Sequence, residues 1–298
     1  MITRIAIVGT SGIGKAHIRE LSKKKVNEIY LVGKKYNPYR VENANINNKK
    51  IKIINCRNIT EIKKKKFKLI SICSPTENHI SHIRYLVKNC RLLLVEKPFI
   101  WKKSKSSNIN LISDKLLNKN KNIVVNFPMI SLANFLKKKF FNSKKIDKIV
   151  FKYHTTGSNK HSAIPVDLLP HAISFFITLT KAKINNHKIL RIYKSKNFWK
   201  CKIILNQTKC TFDFLQNPKK ITSSLSFVIN KSKFERKQIK TKNDYINYLL
   251  IDKNKRIYLQ NPMSNYIGKV YRNYNNKSFI KKNNDIIRQT VYFSEKLV

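Results

Sequence analysis

The feature that most constrains this chain is a short apolar run that breaks into a glycine-rich turn and then into a helical pattern. Residues 3–8 contain Arg4-Ile5-Ala6-Ile7-Val8, followed by Gly9-Thr10-Ser11-Gly12-Ile13-Gly14 and then Lys15-Ala16-His17-Ile18-Arg19-Glu20-Leu21. A buried strand, a tight glycine turn and a helix in that order open a nucleotide-binding βαβ unit. In the Gly-x-Gly-x-x-Gly form of this turn the first glycine permits the bend and the second lets a pyrophosphate approach the backbone. The third lets helix and strand pack closely. Here Ser11 stands at the second place, and its hydroxyl can itself donate to phosphate. Gly9, Ser11, Gly12, Ile13 and Gly14 are therefore candidate dinucleotide-binding residues.

The alternation continues. Strands are expected at Glu28-Ile29-Tyr30-Leu31-Val32, at 51–55, at 68–73 and at Leu92-Leu93-Leu94-Val95, with a sixth at Asn122-Ile123-Val124-Val125. Helices are expected near 79–89 and 106–118, where apolar residues recur near helical spacing. Strands alternating with helices imply a parallel, doubly wound sheet, which makes residues 1–125 a Rossmann domain. From 126 to 298 the pattern changes to alternating extended runs, such as Ile149-Val150-Phe151-Lys152-Tyr153, 201–205, 211–214 and 225–229. One helix is expected over 167–179 and two closing helices over 265–298. The fold class is α/β, with a second α+β domain built on a mainly antiparallel open sheet.

At the end of the second strand, where a dinucleotide domain that prefers NAD carries an acidic residue for the adenine ribose, the chain has Gly33-Lys34-Lys35. A small residue followed by Lys34 suits a 2′-phosphate, which favours NADP over NAD.

Charge demands a separate argument. The 298 residues hold 63 Lys and Arg against 15 Asp and Glu, a formal net charge of +48. Such an excess ordinarily suggests a nucleic acid or an anionic membrane. But 52 of these cations are Lys and only 11 are Arg, the residue that reads bases and phosphates bidentately, and they are spread along the whole chain. The 35 Asn, with abundant Ile, Phe and Tyr, are likewise what AT-rich codons supply. No specific nucleic-acid partner is expected. No apolar run approaches the ~18–20 residues that cross a bilayer, and no signal peptide is read, so a cytoplasmic protein is expected. Cys56, Cys73, Cys90, Cys201 and Cys210 form no paired spacing, and neither a metal framework nor a disulfide scaffold is expected.

Four segments in order are more specific than any one of them: residues 9–17, then Ser74-Pro75-Thr76-Glu77-Asn78-His79, then Glu96-Lys97-Pro98, then Asp167-Leu168-Leu169-Pro170-His171. Together they resemble the glucose–fructose oxidoreductase, inositol dehydrogenase and rhizopine-catabolism family (Gfo/Idh/MocA), strongly to about residue 100 and in outline thereafter. The resemblance implies an NAD(P)-dependent oxidoreductase acting on a sugar, nucleotide-sugar or cyclitol, assembled as a dimer or tetramer. It places Ser74, Pro75 and Thr76 over the cofactor and counts His79, which opens the next helix, with Glu96 and Lys97 among the cofactor-binding residues, although His17 and His79 also suit buried structural roles. Glu96-Lys97-Pro98 matches the family's EKP signature, whose lysine lies near the nicotinamide and the reacting carbon. Asp167 and His171 match its DxxxH, and a four-residue spacing puts both on one face of a helix. His171 suits the base that takes a hydroxyl proton as C–H breaks, and Lys97 can hold the substrate oxygen. Asp167 can bind a substrate hydroxyl. Tyr153, His154 and His161 are further candidates for the substrate side. The chain departs from the family at Ser11, at Asn126-Phe127-Pro128-Met129 and at Ser162-Ala163-Ile164-Pro165-Val166, so the sugar does not transfer with the fold. The alternative reading is a dinucleotide-binding sensor or partner subunit without catalysis.

Overall fold

The computed structural model describes residues 2–33, 51–101, 108–219, 222–240, 245–252 and 254–298. Lys34 lies outside the described residues. The chain divides into two compact units, Met1–Asn126 with Tyr266–Tyr292, and Phe127–Asn265 with Phe293–Val298.

In the first unit, strands β1 (Arg4–Val8), β2 (Glu28–Val32), β3 (Lys52–Cys56), β4 (Phe67–Ile72), β5 (Cys90–Val95) and β6 (Ile123–Val125) form one sheet. The order is β3-β2-β1-β4-β5-β6 and every pairing is parallel. This is the doubly wound dinucleotide-binding order, with its switch point between β1 and β4, where the chain leaves the sheet in opposite directions and opens a crevice. Ile5, Ala6, Ile7, Leu69, Ile70, Leu92, Leu93 and Leu94 are fully buried, as strands covered on both faces require. Helices α1 (Ile13–Ser22), α2 (His79–Leu86) and α3 (Ile109–Lys119) connect the strands. The Asn108 side chain caps α3 by accepting from the Leu111 N–H.

The second unit contains helices α4 (Met129–Phe140) and α5 (Ala163–Thr180) and an eight-stranded sheet. Its strands are β7 (Lys148–Thr155), β8 (His187–Lys194), β9 (Phe198–Leu205), β10 (Thr208–Gln216), β11 (Ser224–Ile229), β12 (Ser232–Lys240), β13 (Tyr245–Ile251) and β14 (Lys255–Leu259). The order is β14-β13-β12-β11-β7-β10-β9-β8, antiparallel except for β7 beside β10. Phe151, Phe175, Phe212, Phe214, Phe227 and Trp199 make an aromatic core, with Phe175 stacked on Phe227 at 4.6 Å. Helix α5 corrects two expectations. It begins at Ala163 instead of Asp167, because Pro165 sits in a first turn whose N–H groups need no partner. Its 18 residues are also long and apolar enough for a membrane span, where the sequence reading found none. With 83% of that window buried in the protein, α5 serves as a core helix.

Two closing helices follow, α6 (Pro262–Arg272) and α7 (Lys277–Leu297). The sequence reading put all of 126–298 in the second domain, but residues 266–292 pack within the first unit. The reason is hydrogen bonding at the end strand β6. Asn283 accepts from the Val125 N–H at 2.9 Å and donates to its carbonyl, and Tyr266 Oη donates to the same oxygen. Tyr271 Oη donates to the Lys25 carbonyl at 2.6 Å, and Arg288 pairs with Asp114 at 2.9 Å. A buried edge strand leaves backbone groups that need partners, and these side chains supply them.

Candidate active site

The turn after β1 is built by glycines for two different reasons. Gly9 has φ 93°, and a Cβ on it would stand 2.7 Å from the backbone of Cys73 and Ser74. A Cβ on Gly14 would fall on the Gly9 carbonyl oxygen. These two are demanded by the protein's own packing. Gly12 also has positive φ, 49°, yet among the described residues nothing stands within 4 Å of its Cβ position, and Ser11 and Ile13 beside it are exposed. Helix α1 starts here with no side-chain cap and no acidic residue in its first turn. An uncapped helix start with open space over its glycine turn fits an anionic pyrophosphate, through N–H groups and the positive end of the helix dipole. At the end of β2, Gly33 N–H donates to the Cys56 carbonyl at 3.1 Å, and no carboxylate follows.

The expected cofactor loop at 74–76 and the Glu96-Lys97-Pro98 turn leave the carboxyl ends of the neighbouring strands β4 and β5. Pro75 is exposed, Ser74 and Thr76 are half-buried, and Ser74 Oγ lies 3.0 Å from His82 Nδ1. Lys97 is half-buried, and the Lys97–Pro98 peptide is cis. Glu96 and His79 face inward. His79 is 1% exposed, with Nε2 facing the Ser74 carbonyl at 2.9 Å and Nδ1 facing the Pro98 and Phe99 carbonyls at 3.1 and 3.0 Å.

Glu96 forms a buried ion pair with His17, Nε2 to Oε1 2.6 Å. Asn126 Nδ2 donates to the same oxygen at 2.5 Å, and Ser71 Oγ meets His17 Nδ1 at 2.7 Å. Burial by itself would lower the pKa of His17, but the Cys73 thiol and the Glu96 carboxylate outweigh it and push the imidazole from 6.5 up to about 10. Burial would raise Glu96, yet the hydrogen bond and charge of His17, with Asn126 and Lys97, hold it below its ordinary range. By linkage, the His17 proton stabilises the fold fully below pH 6.5, and that contribution is lost as pH rises towards about 10. Glu96 contributes above its ordinary 4.5 and loses its contribution in acid. Calorimetry between about pH 7 and 10 should therefore show the wild-type melting temperature falling relative to that of His17→Gln, since lysine titration is common to both proteins.

In the second unit Asp167 and His171 lie one turn apart on α5. Asp167 Oδ2 accepts from Gln216 Nε2 at 2.6 Å and Asn159 Nδ2 at 3.3 Å, which fixes the carboxylate's orientation. His171 is 6% exposed, its ring edge-on to Tyr153 with centroids 5.5 Å apart. His154 is engaged elsewhere, its Nε2 hydrogen-bonded to Asp213 Oδ1 at 2.8 Å, and His161 is exposed at φ 50°. Sequence reasoning missed Gln216, Asn159 and Ser71, and read Asn126 only as a family departure. Gln216 ends β10, 49 residues beyond Asp167, so only the folded sheet brings the two together.

Among the described residues no group of three or more His, Cys, Asp or Glu could hold a metal ion. Burial pushes the Cys90 and Cys201 thiols up to about 12.

Residues 3–112 match the Gfo/Idh/MocA oxidoreductase family, NAD-binding Rossmann fold. Over these residues the chain is similar to that family. Solved structures of the same fold extend the likeness over nearly all of the chain. A dehydrogenase from Clostridium difficile is 14% identical, with a TM-score of 0.65 over 99% of this chain and 98% of its own. A 3-ketoreductase from Actinomadura kijaniata, solved with TDP-benzene and NADP, is 10% identical, with a TM-score of 0.67 over 97% and 95%. A dehydrogenase from Thermus thermophilus, solved with NAD and UDP-GlcNAcA, is 13% identical, with a TM-score of 0.65 over 99% and 94%. At these identities the likeness is one of fold. Comparison with the curated proteins finds no match.

Proposed function

We propose that the chain is an NAD(P)-dependent oxidoreductase that moves a hydride between nicotinamide and a carbon of a sugar, nucleotide-sugar or cyclitol. The observation that carries the reading is the uncapped start of α1 over an open glycine turn, beside the switch point of a Gfo/Idh/MocA-type sheet. Gly9, Ser11, Gly12, Ile13 and Gly14 would hold the pyrophosphate, with Ser74, Pro75 and Thr76 covering the dinucleotide. The nicotinamide supplies the hydride acceptor or donor; the rest of the chemistry belongs to side chains. Lys97 holds the substrate oxygen and stabilises charge on it, His171 takes or returns the hydroxyl proton, and Asp167 accepts a hydrogen bond from a substrate hydroxyl. The UDP-GlcNAcA bound to the Thermus protein, and the nucleotide-linked TDP-benzene bound to the Actinomadura protein, support a nucleotide-sugar substrate. Gly33 in place of a ribose-binding carboxylate supports NADP over NAD.

The test is a titration with NADPH and NADH followed by nicotinamide fluorescence, in enough salt to screen non-specific attraction. Saturable binding that prefers NADPH is expected, followed by turnover in a sugar and nucleotide-sugar screen. A preference for NADH would discard only the NADP argument. No binding to either would overturn the function. Binding with no turnover across the screen would favour a dinucleotide sensor.

A further inference from the structure

The mechanism above leaves two fully buried histidines unused, and both are aimed at the same turn. His17 reaches it from α1: Nε2 donates to Glu96 Oε1 at 2.6 Å while Nδ1 is engaged by Ser71 Oγ at 2.7 Å. Glu96 Oε2 in turn accepts from the Lys97 backbone N–H at 3.2 Å. His79 reaches the turn from the start of α2. One face of its ring, Nδ1, is held by the carbonyls of Pro98 and Phe99, and the other, Nε2, by the carbonyl of Ser74. The ring thus bridges two separate loops, one nitrogen facing each.

Packing does not account for this. Buried space beside a strand end is filled at less cost by an apolar side chain, since a buried polar ring must find partners for both nitrogens. Here every partner lies on the 96–99 turn, on the 74–76 loop or on the strand ends that carry them: Ser71 in β4, and Asn126 directly after β6. The network thus joins the carboxyl ends of β4, β5 and β6 to α1 and α2. We propose that His17 and His79 are positioning residues. His17 acts through Glu96 and His79 through the Ser74, Pro98 and Phe99 carbonyls, so that together they set where Lys97 and the nicotinamide end of the dinucleotide sit. The inference rests on the oxidoreductase reading and adds to it the parts that hold the hydride-transfer half of the site, as distinct from the glycine turn that holds the pyrophosphate.

Two ligands separate the halves. ADP-ribose carries the adenosine, the pyrophosphate and the second ribose; NADH adds the nicotinamide alone, and NADPH adds the nicotinamide and a 2′-phosphate, for which 2′-phospho-ADP-ribose is the matching control. Calorimetric titrations would be run on the wild type, His17→Gln, His79→Gln and the milder Ser71→Ala, with melting temperatures and the emission of bound reduced nicotinamide measured alongside. The expected result is ADP-ribose affinity within about twofold of wild type, nicotinamide-nucleotide affinity reduced about fivefold or more, and a changed nicotinamide emission. Should the histidine variants fail to fold, Ser71→Ala carries the same expectation on its own, because it loosens the His17 ring without emptying the site. Variants that bind both ligands as the wild type does would overturn the inference. So would equal losses for both ligands that track the fall in melting temperature, the mark of a merely structural role. A wild type that binds neither ligand would instead overturn the oxidoreductase reading beneath it, a result visible before any variant is made.

Discussion

Lys97→Ala is expected to lower kcat on a competent sugar substrate by about 100- to 10,000-fold, with dinucleotide affinity changed little, as measured by steady-state kinetics beside a fluorescence titration. The expectation follows from what a primary ammonium does at a carbon that changes oxidation state. As hydride leaves or arrives, charge develops on the attached oxygen, and a positioned cation stabilises that charge far more in the transition state than in the ground state. Losing such an interaction lowers kcat and kcat/KM together. Lys97→Arg is expected to recover little, since a planar fork does not present a point charge in the same place. His171→Ala should fall in the same range, with its loss partly relieved at high pH if hydroxide replaces the base. Full turnover in both variants would remove these residues from the chemistry.

Gly14→Ala is expected to be the most damaging single-methyl change in the first unit, destabilising by about 3 kcal/mol or more and abolishing dinucleotide binding. The new Cβ would coincide with the Gly9 carbonyl oxygen, so backbone must move, and the atom in the way is part of the turn that receives the pyrophosphate. Gly12→Ala is the informative contrast. Among the described residues nothing lies within 4 Å of its Cβ position, and the positive φ of 49° resists the change. Its stability cost should be about 1–2 kcal/mol. Denaturant unfolding of the two variants, with NADPH titrations, checks the order; equal costs would contradict it.

Legibility in the sequence followed the length and purity of the apolar runs. Strands β1, β2, β4 and β5 could be read because a strand buried on both faces is written as an uninterrupted apolar word, such as Leu92-Leu93-Leu94-Val95. Strands β8, β12, β13 and β14 were not named. In β8 and β12, residues 187–194 and 232–240, lysine and arginine break up the few apolar residues, and in a chain with 63 basic residues that pattern looks like background. The start of α5 was missed because Pro165 and Pro170 argue against a helix, whereas the four-residue step from Asp167 to His171 survives as one helical turn. The partners of Glu96 had no local signal. His17 lies 79 residues before it and Asn126 lies 30 residues after it. Only a parallel sheet, which sends every strand's carboxyl end to the same edge, gathers them. Lys34, the residue on which the NADP preference leaned, lies outside the described residues.

The hydrogen bonds from Asn283 and Tyr266 to Val125 bear on how the protein is born. They join residues 158 and 141 positions apart, and the bond from Tyr271 to Lys25 spans 246. The first unit to leave the ribosome thus stays incomplete until late, because its sixth strand waits for helices encoded after residues 127–265 of the other unit. Contacts of such long sequence separation are slow to form, since loop closure must precede any reward. A ribosome stalled before the closing helices would hold a nascent Rossmann sheet with a bare sixth strand, the edge most open to wrong pairing during synthesis.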